Sequence, residues 1–205
     1  MKKTLLGALL FSSIIATSSY ASTSTTLTQT QKDDLVFMYQ EEKVARDVYT
    51  ALDDVYHQKV FANITKAEQK HMDQVKGLLE SYGIPVPVIE DTQGVFENEE
   101  LQSLYDALVV QGEQSQEEAY KVGVLIEETD IADLEERMMD APDDVVKVFG
   151  HLLKGSENHL RAFNRQLDKV YDNANSATKK KSNSSKKNRS KKKSKRKGHR
   201  HHHNR

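Results

Sequence analysis

Between Gln31 and Tyr171 the apolar residues recur at alternating steps of three and four, the spacing that keeps side chains on one helix face. Four long segments carry such a stripe. The first runs through Met38, Glu42, Ala45, Tyr49 and Leu52, and the second through Ile64, Glu68, His71, Val75 and Leu78. The third holds Tyr120, Val124, Glu127, Ile131, Leu134 and Met138. The fourth holds Val148, Leu152, Ser156, His159, Phe163 and Leu167. Val, Ile and Thr are scattered rather than gathered into alternating runs, so the pattern predicts an all-α chain.

The connections predict how these helices are joined. A short turn is expected near Tyr56–Lys59, and another at Asp140–Asp143, where Pro142 suits a helix start. Between the second and third segments lies a longer stretch, Gly83–Glu113, with Pro85, Pro87 and a short helix expected from Asn98 to Val110. Hairpin, crossover, hairpin is a four-helix bundle with one long crossover carrying a short extra helix, the topology of ferritin-like folds.

The flanks differ from this body. Lys2 and Lys3, the apolar run Leu5–Ala16 and the small residues around Ala21 read as a secretory signal spanning 1–21, too short to cross a bilayer. Residues 22–30 form a Ser/Thr-rich leader expected to be disordered, 31–172 the bundle, and 173–205 a disordered basic tail ending in histidines. All 31 acidic residues lie in Ser22–Thr178. Of the 30 basic residues, two lie in the signal and 14 follow Thr178, so the near-neutral total divides into a body at −17 and a tail at +14. With no cysteine, disulfides and zinc-thiolate sites are excluded, and an exported chain of this size relies on core packing, metal or both. The location expected is periplasmic or extracellular.

Each apolar stripe is interrupted by chemistry-bearing residues. Glu68 and His71 form an E-x-x-H pair one helical turn apart, able to share an ion. The pair is common by chance, but a carboxylate inside an apolar stripe costs several kcal/mol (roughly) unless paired or bound to metal. In a hairpin, residues equidistant from the turn lie side by side. Glu42 and His71 are centred on the first turn, and Glu127 and His159 on the second, so each hairpin sets a Glu opposite a His. Position 156, three before His159, is Ser, and Glu157 points about 100° away. Asp130, one turn from Glu127, and the flanking Glu128 are the candidates for the missing carboxylate. A rotated stripe would instead turn Glu41 and Glu128 inward. Tyr49 and Tyr120 fall near the site, Arg46 is expected to pair with an acid such as Asp130 or Asp133, and His57 and His151 have no partner by spacing.

Glu42-Lys43-Val44-Ala45-Arg46-Asp47-Val48-Tyr49 resembles the first-helix E-x-x-A-R-x-x-Y motif of rubrerythrins, and Ala67–His71 resembles their second-helix E-x-x-H. From about Leu35 to Phe163 the chain is similar to an uncharacterised ferritin-like family of bacteria and archaea. Glu41–Asp47, Phe61–Ile64, Glu127–Leu134 and Gly155–Phe163 carry that similarity. The resemblance implies a dinuclear metal site. Ser156 departs from the second E-x-x-H of that pattern.

The candidate ligands are therefore Glu42, Glu68, His71, Glu127, Glu128, Asp130 and His159, holding two metal ions, iron being the expected metal. Such a site suits Fe(II) oxidation or reduction of O₂ or peroxide as small-molecule substrate. No catalytic side chain is singled out. The alternative is a non-catalytic module that binds metal, or presents its tail to anionic lipid, wall polymer or nucleic acid. Association into a homo-oligomer stays open.

Overall fold

Leu27 and Thr28 lead into the first helix. In the computed structural model, residues 26–87 and 92–198 are described, with side chains through 176. The expected signal, the rest of the expected leader, residues 88–91 and residues 199–205 lie outside the described residues. Thr28 and Gln31 form a reciprocal capping box that opens α1 (Gln29–Tyr56), and Leu27 is buried beneath it. The leader expected to be disordered thus contributes its last residues to the bundle, because Leu27 has a core to enter and Thr28 has free amides to cap.

His57 ends α1 in the left-handed region, φ 49°, its N–H donating to Asp53 O. After one further residue α2 (Lys59–Ser81) starts. It closes in a Schellman motif: Gly83, φ 65°, donates to Glu80 O, and Ile84 donates to Leu79 O at 2.8 Å. The crossover leads to α3 (Glu99–Gly112), capped by Asn98, and then to α4 (Gln116–Met138), capped by Ser115. Pro142 precedes α5 (Asp143–Gly198), whose first turn carries Asp143 and Asp144 beside the helix N-terminus. No strand occurs among the described residues.

The five helices make a helical bundle. α1 packs chiefly on α2 and α4 on α5, while α1–α4 and α2–α5 contacts close the ring. α3 lies outside it, against α1 and α4. Two apolar clusters fill the interior. One is built around Tyr49, Leu52, Phe61, Tyr120 and Phe163, the other around Leu35, Met38, Leu79, Leu134, Phe149 and Leu152.

The crossover is tied down by a buried charge cluster that spacing alone does not reveal. Lys43 and Asp47, each with a side chain 2 % exposed, pair at 2.5 Å. Lys43 also donates to Thr92 O and Val95 O and lies 4.2 Å from the Phe96 ring centre. Asp47 accepts from Arg46 and from Gly94 N. Arg46 pairs with an acid as expected, but the acid is its neighbour Asp47, and it also donates to Gln69.

α5 departs furthest from expectation. Residues 173–198, expected to be disordered, continue the helix. The segment has no proline and its first glycine is Gly198, while Ala, Lys and Arg favour helix. A helix growing from a folded stem also needs no new nucleus.

Candidate metal centre

Four helices send polar side chains into the level between the two apolar clusters. α1 supplies Glu42, α2 Glu68 and His71, α4 Glu127 and Asp130, and α5 Ser156 and His159, all buried. The hairpin geometry explains the meeting: residues equidistant from each turn face one another. His71 Nδ1 lies 3.2 Å from Glu42 Oε2, and His159 Nδ1 lies 3.5 Å from Glu127 Oε2. Glu68 joins the two hairpins. Its Oε2 is 2.8 Å from His71 Nδ1 and its Oε1 is 2.9 Å from His159 Nδ1, the second approach being out of hydrogen-bond alignment. The two imidazole rings lie 5.6 Å apart, nearly parallel.

Neighbouring residues fix these groups. Tyr49, wholly buried, donates from its hydroxyl to Glu127 Oε1 at 2.7 Å. Ser156 Oγ lies 2.5 Å from Asp130 Oδ2 and 3.1 Å from Leu152 O. One hydroxyl proton serves one of these acceptors, so the other short contact needs either Ser156 to turn or Asp130 to carry a proton. Gly155 gives His71 its room: a Cβ there would stand 2.5 Å from His71 Nε2. The ring therefore turns Nδ1 to the carboxylates and Nε2 to the α5 backbone.

Electrostatics divides the acids. Burial alone would raise the Glu68 carboxyl, but attraction from the His159 and His71 imidazoles on either side of it holds it down to about 2. Burial raises the others: Glu42 well above its usual range with Asp130 adding to it, Glu127 to about 8 with Glu68 adding, and Asp130 to about 7. Burial would lower the imidazoles, yet their carboxylate partners push His71 up to about 11 and His159 to about 9. Protons here do what cations otherwise would, holding close-set acids together.

The donor set fits metal ions. Glu42, Glu68 and His71 form one group whose ligand atoms all lie within 4.8 Å of each other, and Glu68, Glu127 and His159 form a second, with Glu68 common to both. Glu42 Oε1, Glu68 Oε1, Asp130 Oδ1 and His159 Nδ1 are buried without a hydrogen-bond partner. Orphaned acceptors at such depth are costly, and a cation satisfies several at once. Oxygen and imidazole donors suit iron, manganese or zinc.

Five of the seven expected ligands thus form the two groups, and Asp130 is buried beside them on its bond to Ser156. Glu128 does not join them: it is exposed, since one residue past Glu127 turns it about 100° away. The stripe is not rotated, so Glu42 faces the centre, with Glu41 beside it against α4. His57 and His151 are exposed, and Tyr120 lies among aromatic rings with its hydroxyl accepting from Gln116. The supporting roles of Gly155 and of the Ser156 hydroxyl had no periodic signal in the sequence. Only the vacancy for a carboxylate at Ser156 pointed there.

Fold and site together define a helical-bundle protein with a carboxylate- and imidazole-lined core. More particularly, the chain belongs to the family of an uncharacterized protein domain, DUF2202, which matches residues 31–188. It is 45 % identical over 148 residues to uncharacterized protein MJ0754 of Methanocaldococcus jannaschii, covering 72 % of this chain and 80 % of that protein. The crystal structure of the hypothetical protein MJ0754 superimposes with a TM-score of 0.69 at 46 % identity, over 70 % of this chain and 83 % of that one. A DUF305 fragment from Deinococcus radiodurans shares the fold, with TM-score 0.54 and 16 % identity over 69 % of this chain and 97 % of that one.

Proposed function

We propose that this is a ferritin-like dinuclear metal protein acting in Fe(II) oxidation or in reduction of O₂ or peroxide. The observation that carries the reading is Glu68, one buried carboxylate shared between two Glu/His pairs from opposite hairpins. Glu42 and His71 would hold one ion, Glu127 and His159 the other, and Glu68 would bridge them, with Asp130 in place of the carboxylate that position 156 lacks. Two bound iron ions would supply the electrons that O₂ or peroxide takes up.

The chain's own residues set the conditions. Tyr49 fixes the orientation of Glu127 through its hydrogen bond, and Ser156 fixes Asp130. The apolar clusters on either side keep bulk water from the centre. Glu127, Asp130 and both imidazoles hold protons in the metal-free core and must release them when cations bind. The N-terminal signal pattern supports action outside the cytoplasm, and the basic extension after Thr178 supports docking on an anionic surface.

Anaerobic Fe(II) titration of the mature protein tests the reading. Binding should approach two equivalents, with protons released as they bind. Aerobic addition should then give a dinuclear charge-transfer absorption. A protein that binds no metal defeats the proposal, while one that binds two ions yet never oxidises them is the non-catalytic module instead.

A further inference from the structure

A second set of acids lies outside the centre, along the seam between α1 and α4. The helices run antiparallel there: Tyr49 meets Glu127, and Asp34 meets Arg137. One end of the seam is covered. Tyr56 donates to Gly112 O at 2.9 Å, Leu52 packs so closely on Gly112 that a Cβ would stand 2.5 Å from it, and the crossover bonds to Asp47 through Gly94. The α3 helix and the crossover therefore seal the part of the seam beside the aromatic cluster.

The other end is lined by Asp34, Phe37 and Glu41 from α1 and by Asp130, Asp133 and Arg137 from α4. Exposure falls inward along it. Asp34 and Asp133 side chains are 21 % and 25 % exposed, while Asp130 is 5 % exposed. At the mouth Arg137 pairs with Asp34 and Asp133 and lies over the Phe37 ring at 4.2 Å. Behind it Glu41 lies close enough to Asp133 and Asp130 to feel both, and Asp130 in turn acts on Glu42 in the centre.

A purely structural ion-pair network would leave these acids satisfied. Here Arg137 makes direct ion pairs with the two outer ones alone, and its charge only partly offsets the burial of Glu41. Glu41 Oε2 and Asp130 Oδ1 are buried without a partner. A row of carboxylates with free oxygens, graded from solvent to core, is what a dehydrating divalent cation needs in order to exchange one oxygen ligand for the next. Steering by such a lined cleft raises the on-rate of a cation rather than its final affinity.

We propose that this α1–α4 seam, with Glu41 and Asp133 leading to Asp130 behind the Arg137–Asp34 pair, is the path by which divalent cations reach the core. The proposal rests on the dinuclear reading above. It assigns Glu41 a transient contact with the passing ion, without a place in the final ligand set.

Stopped-flow uptake of Co(II) by the metal-free mature protein, read by the ligand-field absorption of the bound ion, tests it. Glu41→Gln keeps size and shape but removes the charge. It should slow uptake about tenfold, within the range for electrostatic steering, and leave the end point at the wild-type stoichiometry. Asp133→Asn, nearer the surface, should act in the same direction, whereas Glu135→Gln on the exposed face of α4 should not. Wild-type uptake should slow as salt rises, and the slowing should be weaker in Glu41→Gln. Unchanged rates in both Glu41→Gln and Asp133→Asn overturn the path. A lowered end point in Glu41→Gln also overturns it, by making Glu41 a ligand. Absence of any Co(II) uptake by the wild type would instead bring down the metal centre itself.

Discussion

Glu68 stands between two imidazoles, and this changes what its removal does. Spacing alone leads one to expect crowded carboxylates, so that loss of Glu68 would relieve repulsion. The repulsion falls instead on Glu42, Glu127 and Asp130, while Glu68 stays ionised between His71 and His159. Glu68→Ala should therefore destabilise the metal-free protein, by about 3–5 kcal/mol on the scale of broken buried pairs. It should also abolish the rise in melting temperature that metal gives the wild type. Calorimetry with and without metal measures both. Ser156→Ala frees Asp130 from its anchor and should weaken metal binding by about 10–100-fold, the usual effect of losing a supporting hydrogen bond. A chelator-competition titration reads this directly. Gly155→Ala should do similar damage by pushing His71 out of place.

At the scale of elements, the hairpins and the short helix of the crossover were legible, and the packing of residues 92–96 on α1 was not. Both turns and the facing of Glu42 with His71 and Glu127 with His159 follow from periodicity and equidistance, because two packed antiparallel helices leave little freedom of register. The short helix was legible from Asn98, whose side chain caps α3. Lys43, Arg46 and Asp47 were not recognisable as a buried cluster. On α1 alone nothing in their spacing marks them as buried, and residues 92–96 fold over them. The same limit applies to residues 173–198, where charge and composition spoke for disorder and only continuity with a folded stem spoke for helix. Lys43→Met should leave the bundle folded but loosen the crossover, at a cost of roughly 3 kcal/mol. Limited proteolysis should then cut near Thr92–Phe96 sooner than in the wild type.

For the whole molecule, the buried acids and imidazoles predict how stability follows pH. Glu127 and Asp130 have folded values raised to about 8 and 7, so the metal-free fold binds their protons more tightly than the unfolded chain. Their protonation favours the fold at low pH, and that advantage is lost as pH rises from the usual carboxylate range through 7 and 8. His71 and His159, raised to about 11 and 9, act in the same sense above the usual imidazole range. Glu68, lowered to about 2, opposes this only in strong acid. The metal-free protein should therefore lose melting temperature steadily between pH 5 and 9 (about), and the metal-loaded protein should lose much less, since cations replace the protons. Scanning calorimetry across that range measures the difference.

The level of acids and imidazoles also parts the interior into two apolar clusters that share no residue. Hydrophobic attraction is short in reach, so these halves gain little from each other directly. Their cooperativity passes through Glu42, Glu68, Glu127 and the two histidines. With cations in place the molecule should open as one unit. Without them it should come apart in two stages, the half nearer the chain turns at Tyr82 and Pro142 keeping its own amide-exchange rate from the half that holds Phe61 and Phe163. Hydrogen exchange should resolve two protection classes in the metal-free protein and one in the loaded protein. The centre would then be the fastening that makes a single thermodynamic body out of two.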